Sequence, residues 1–133
     1  CKIISISINL YGAEITSCTA YKNNGMSYRK KLNDTDFLKS GNMYRMYLGE
    51  EEPFMRIKTS VNNEKKLLLI KDSYADCFIQ FLIQHYSEIA VISPEHMEKN
   101  ISCFVDPNNY EQTLFLFGID SMDNEKIFEF LNK

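Results

Sequence analysis

The stretch Leu67–Phe78, LLLIKDSYADCF, decides the fold of this chain. It opens with a continuous apolar run, Leu67–Ile70, which is typical of a strand covered on both faces of a parallel sheet. The polar residues Lys71, Asp72 and Ser73 follow at once, and a helical pattern begins there. The sequence therefore predicts a strand that turns directly into a helix, with a serine at the junction.

Two further apolar runs, Ile89–Ile92 and Leu114–Phe117, resemble Leu67–Ile70. Segments with a helical pattern separate the three runs, and this alternation predicts a parallel sheet with right-handed crossovers. We expect all three to be buried, neighbouring and parallel strands.

The first helical segment is predicted to begin within two residues of Ser73. Its apolar spacing indicates a buried face formed by Phe78, Ile79 and Leu82. The second crossover, residues 101–112, is short and interrupted by proline. Residues 123–133 predict a C-terminal helix with Asp123 as its N-cap.

Residues 1–62 are more polar, and they predict an irregular, β-rich antiparallel addition to a βαβαβα core in residues 63–133. KIISISINL alternates apolar and polar residues, as a half-buried strand does. GAEITSCTAY predicts a second strand, with Gly12 as the turn between them, and FMRIKTS predicts a third. Residues 23–42 are rich in turn formers and predict a loop.

Composition excludes several classes of protein. The 133 residues suit a single domain, and the net charge of −3 with scattered lysines and arginines does not indicate a nucleic-acid partner. No apolar run is long enough to span a membrane. The four cysteines form no CxxC pair, and no cofactor motif or metal-ligand spacing is present.

Ser73 invites two interpretations from local chemistry. Ligands of open parallel sheets bind outside the carboxyl ends of the strands, where Ser73 is predicted to lie. Free N–H groups at a helix N-terminus could also stabilise the oxyanion formed if Ser73 attacked an ester. Serine and aspartate are, however, common N-caps, so local chemistry alone favours a simple cap at Asp72 and Ser73 over a nucleophile.

A family resemblance bears on this choice. KKLLLIKDSYADCFIQFLIQHYSEIAVIS, residues 65–93, closely resembles the C-terminal core of the DHHW family, named for an Asp-His-His-Trp motif. YRMYLGEEEPFMRIKT, TLFLFG and NLYGAEITS fit the same family, so the resemblance covers most of the chain. The family is grouped with the SGNH-like hydrolases and the alginate O-acetyltransferases. The resemblance thus implies an α/β, three-layer SGNH-like (flavodoxin-like) parallel sheet with an antiparallel N-terminal addition.

By this resemblance Ser73 aligns with the nucleophile, and Asp72 precedes it as in the Gly-Asp-Ser of related esterases, with Lys71 in the glycine position. The acid and base would come from the Asp-His-His-Trp motif, which these residues do not contain. The chain also starts at Cys1 without an initiator methionine. We therefore expect an incomplete domain, the C-terminal part of a longer protein, that is inactive alone.

Two histidines are the candidate bases inside the chain. His85 lies twelve residues beyond Ser73, or roughly 18 Å along a helix, so we expect it only at the helix end. His96 follows the second strand and is predicted on the same sheet edge as Ser73, either as a base or as a solvated loop histidine. Here ISPEH replaces the Ile-Asp-x-Arg of many family members, and Gly118 stands where they often have asparagine. Lys71, Tyr74 and Gly118 are the predicted substrate-binding residues.

The resemblance implies a serine esterase or O-acyltransferase that acts on a cell-envelope glycan. Its partner would be a polysaccharide or another acyl ester, without a cofactor, and its location would be extracellular or the cell envelope. The alternative is a non-catalytic envelope or carbohydrate-binding protein that uses tyrosines such as Tyr44, Tyr47 and Tyr74 to stack on sugars. A flavodoxin-like nucleotide-binding module is less favoured, because no Gly-rich phosphate loop follows any strand.

Overall fold

A computed structural model describes residues 13–29 and 51–124, together with 127 and 129. Within these residues the chain forms one six-stranded mixed sheet in the order β2-β1-β3-β5-β4-β6. The strands are β1 (Ile15–Tyr21), β2 (Ser27–Arg29), β3 (Phe54–Thr59), β4 (Lys66–Lys71), β5 (Glu88–Ile92) and β6 (Gln112–Leu116).

The parallel half of the sheet is centred on β4. Leu67 is paired with Ile89 of β5 on one side and with Gln112 of β6 on the other, and both pairings are parallel. The prediction of three parallel strands around the LLLI run is thereby confirmed. The expectation that the third would be buried on both faces is wrong. In the described part of the chain β6 is paired on one side only, and Phe115 is 47% exposed.

The antiparallel half continues the same sheet. β1 is paired with β2 and with β3, and β3 is paired with β5, all antiparallel. The predicted strands in GAEITSCTAY and FMRIKTS are confirmed. Ser27–Arg29, predicted as loop, forms the short strand β2 after a turn in which Gly25 has a φ of 83°. The predicted strand KIISISINL and the turn at Gly12 lie outside the described residues.

Apolar side chains pack on both faces of the sheet. On one face Leu67 and Leu69 pack with Ile79 and Ile83 from the helical segment after β4. On the other face Leu68 and Ile70 belong to a cluster with Val105 from the second crossover. Side chains of successive strand residues alternate between faces, so the continuous LLLI run supplies both clusters.

The helical segments are shorter than predicted. A 3₁₀ helix, Ser73–Phe78, runs into a single α-helical turn, α1 (Ile79–Leu82). It begins at Ser73, as predicted, and Ile79 is buried while Leu82 is half-buried against the core. The predicted burial of Phe78 is wrong, because its side chain is 45% exposed. A 3₁₀ helix has three residues per turn instead of 3.6, which rotates Phe78 away from the face that α-helical spacing predicts.

The second crossover, predicted as a short helical segment interrupted by proline, contains two 3₁₀ turns, Ile101–Cys103 and Pro107–Asn109, and no α-helix in the described residues. A short helix, α2 (Ile119–Met122), follows β6, and Asp123 is its C-cap. Most of the predicted helix 123–133 lies outside the described residues, so the N-cap role of Asp123 stays a prediction. No helix in the described part of the chain is both long and apolar enough to cross a membrane.

Candidate functional site

The carboxyl ends of β4 and β6 are tied together by one carboxylate. Asp72 follows β4, and its Oδ1 accepts a hydrogen bond from the Tyr74 N–H at 3.1 Å, as an N-cap does. Its Oδ2 accepts from the Gly118 N–H at 2.6 Å, just beyond β6. Asp72 is only 2% exposed. The side chain therefore fixes the junction that carries Ser73. The supporting role of Asp72 in catalysis stays a prediction.

Gly118 lies beneath the ring of Tyr74. A Cβ atom added at Gly118 would lie 2.8 Å from Tyr74 Cδ2, closer than real contacts allow. Glycine is thus required by close approach of the ring, and its N–H is already engaged by Asp72. Tyr74 itself is 56% exposed, so one face of its ring is open beside Ser73. Substrate binding by Tyr74 and Gly118 stays a prediction.

Lys71 forms a buried ion pair under the same junction. Its ammonium contacts Asp76 of the 3₁₀ helix, and the two side chains are 1% and 2% exposed. Lys71 shares the sheet face of Leu69, which the helical segment covers. An ammonium in this position holds the helix onto β4. The predicted contact of Lys71 with substrate stays a prediction.

Ser93 follows the carboxyl end of β5, next to the end of β4 at Lys71. The parallel register pairs Ile70 with Ile92, so the next residues on the two strands are neighbours. Ser93 is 3% exposed, and its Oγ has no hydrogen-bond partner. A buried polar atom without a partner is uncommon.

Ser73 itself is half-buried at the first position of the 3₁₀ helix. Within the described residues, neither its hydroxyl nor its backbone N–H forms a hydrogen bond. Both groups therefore remain available at the sheet edge where ligands of parallel sheets bind. The role of Ser73 as a nucleophile stays a prediction.

In the described part of the chain, the hydrogen-bond partners of the two histidines are residues other than Ser73. The Nε2 atom of His96 contacts Glu51, in the segment that leads into β3 on the far side of β5. His85 lies at the opposite edge, where its N–H is bonded to Leu82 and its carbonyl accepts from Asn63. The role of His96 as a base stays a prediction.

Two residues near the site, Asp76 and Glu51, were not predicted from the sequence. Asp76 sits five positions after Lys71, and a lysine at the end of an apolar strand is the signal that a buried partner is needed. Glu51 is the second acid in a run of three, and nothing in the sequence distinguishes it from its neighbours.

The fold defines a class, a mixed six-stranded α/β sheet, and solved structures share this fold. A DHHW family protein from Eubacterium siraeum has a TM-score of 0.74 at 20% identity, and the match covers 91% of this chain and 41% of that one. Bacillus cereus PatB1, solved with and without a sulfonyl adduct, gives TM-scores of 0.64 at 20% and 21% identity over 86% of this chain.

The fold therefore fits the DHHW family, as the sequence resemblance predicted. The chain spans about two fifths of the length of these structures, 41% of the DHHW protein and 39–41% of PatB1. No protein-family model and no curated protein matches the sequence.

Proposed function

We propose that this chain is the nucleophile-bearing, C-terminal part of an SGNH-like serine esterase or O-acyltransferase that acts on a cell-envelope glycan. The observation that carries the proposal is the position of Ser73. Its unbonded hydroxyl follows the central parallel strand directly, at a junction that Asp72 holds from both sides.

The chemistry follows from that position. The Ser73 Oγ attacks the carbonyl carbon of an acyl ester, its proton passes to a base, and the tetrahedral intermediate expels the alcohol to leave an acyl-serine. Water or a glycan hydroxyl then takes the acyl group. The Ser73 N–H is placed to donate to the oxyanion. The Gly118 N–H contributes nothing here because Asp72 already accepts it.

The base and acid are proposed to lie outside residues 1–133, in the Asp-His-His-Trp segment that the family resemblance implies. His96 is paired with Glu51 on the other side of β5, which leaves Ser73 without an evident base in the described part of the chain. The additional segment would complete a three-layer SGNH-like domain outside the cytoplasm. The sulfonyl adduct on the fold relative PatB1 supports a nucleophile in this fold, since sulfonyl groups attach to nucleophilic side chains.

Turnover of a small acetyl ester tests this proposal. The chain alone should hydrolyse the ester no faster than its Ser73→Ala variant, because a triad enzyme without its base retains only a small residual rate. A polypeptide that also carries the upstream segment should be active, and Ser73→Ala should abolish that activity. Inactivity of the longer polypeptide would remove Ser73 from the catalytic role.

Carbohydrate binding without catalysis is the second candidate, favoured by the open ring of Tyr74, 56% exposed at the same edge. Tyr44 and Tyr47, predicted to assist it, lie outside the described residues. Glycan affinity that falls in Tyr74→Ala but not in Ser73→Ala, with no esterase activity in the longer polypeptide, would support this candidate.

A further inference from the structure

A second cluster of reactive side chains lies at the same sheet edge, on the far side of β5 from β4. Glu51 precedes β3, while Glu95 and His96 follow β5. Each offers one ligand atom, and these atoms all lie within 4.8 Å of one another. The sequence analysis predicted no metal site, because residues 51 and 95 are far apart in the chain.

The backbone around this cluster is held at several points. The Ser93 N–H donates to the Pro53 carbonyl at 3.0 Å, which joins the two segments. The side chain of Asn23 clamps the second segment, donating to the His96 carbonyl at 2.9 Å and accepting from the Glu98 N–H at 3.1 Å. Three loops from different parts of the chain thus converge on one place.

The charges of the cluster are unbalanced. Two carboxylates, Glu51 and Glu95, lie together, and in the described part of the chain neither forms an ion pair with a lysine or arginine. His96 contacts Glu51 through Nε2. A bound cation would relieve the repulsion between the carboxylates.

We propose that Glu51, Glu95 and His96 bind a divalent transition-metal ion of the Zn²⁺ class. One imidazole nitrogen and two carboxylate oxygens are ligands that Zn²⁺ accepts, and three protein ligands leave a fourth position for water or a ligand oxygen. Bonds of about 2.1 Å place tetrahedral ligand atoms about 3.4 Å apart. The ligand atoms of the three residues lie up to 4.8 Å apart. Rotation of these partly exposed side chains would bring the atoms to the tetrahedral separation.

Calorimetric titration of the chain with Zn²⁺, with Mg²⁺ as the competing hard cation, tests the proposal. We expect one saturable Zn²⁺ site and no comparable Mg²⁺ binding. His96→Ala and Glu95→Gln should each weaken Zn²⁺ binding about ten-fold or more. His85→Ala and Glu98→Gln are matched controls that should leave the affinity unchanged.

Cobalt spectroscopy separates this site from the cysteines. Co²⁺ bound by nitrogen and oxygen ligands shows ligand-field bands without the intense thiolate charge-transfer band. The His96→Ala variant should lose the Co²⁺ bands, and Cys103→Ser, which removes an exposed thiol, should keep them. Absence of saturable Zn²⁺ binding, unchanged affinity in the ligand variants, or a thiolate band that disappears with Cys103→Ser would each overturn the proposal. The test does not depend on Ser73 or on any esterase activity.

Discussion

Loss of the Lys71 ammonium should be among the most damaging single changes in this chain. Lys71→Met keeps most of the side-chain volume but removes the ammonium that contacts the carboxylate of Asp76, which is 2% exposed. Breaking a buried ion pair in this way costs about 3–5 kcal/mol in free energy of unfolding. The total stability of a domain is only about 5–15 kcal/mol, so about a fifth of it or more would be lost.

Urea denaturation followed by circular dichroism measures this loss. With a slope of about 1–3 kcal/mol per M, the midpoint should fall by at least about 1 M. Lys66→Met, at an exposed position of the same strand, is the matched control and should change little. The double variant Lys71→Met/Asp76→Leu should be more stable than Lys71→Met alone, because it removes the buried carboxylate together with the ammonium. A loss below about 1 kcal/mol in Lys71→Met, or a double variant with additive losses, would refute the buried pair.

Three further changes have defined outcomes. Asp72→Ala should cost about 2–4 kcal/mol in urea titration, because two N–H groups lose a charged acceptor; Asp106→Ala, which removes an exposed cap, should cost less than half as much. Ile79→Ala, at a position 3% exposed, should cost about 2–5 kcal/mol, whereas equal stability of Ile79→Ala and the exposed Phe78→Ala would show that the helical phase is wrong. Burial raises the pKa of Tyr110 above its usual 10.0, so the protonated phenol stabilises the fold fully below pH about 10, and this contribution is lost as pH rises through the folded pKa. Melting temperatures at alkaline pH should therefore fall less steeply in Tyr110→Phe, and identical slopes would contradict the shift.

The parallel strands of the core could be predicted from the sequence because they are continuous apolar runs. Leu67–Ile70 is apolar at every position, and both faces of that strand are in fact covered. The same rule failed for the third run, since Phe115 alternates to an exposed face of an edge strand. Whether a strand lies at the edge of a sheet depends on the order of the strands, and the local composition of a strand does not determine that order.

Only the part of the candidate site that is formed by residues close together in the sequence could be predicted. The junction at Asp72 and Ser73 follows from strand, cap and helix signals within a few residues. The pairing of His96 with Glu51 joins residues 45 positions apart, and β3 must first lie beside β5 before they can meet. The 3₁₀ geometry that exposes Phe78 was also invisible, because periodicity cannot separate three from 3.6 residues per turn over six residues.

Covalent labelling of Ser73 tests the central claim most directly. The chain alone and a longer polypeptide that carries the proposed upstream Asp-His-His-Trp segment would be treated with a sulfonyl fluoride, digested and analysed by peptide mass spectrometry. The proposal predicts an adduct on the Ser73 peptide of the longer polypeptide, little or none on the chain alone, and loss of the adduct when the upstream histidine is replaced. An adduct on another residue, or equal labelling of Ser73 with and without that histidine, would contradict it.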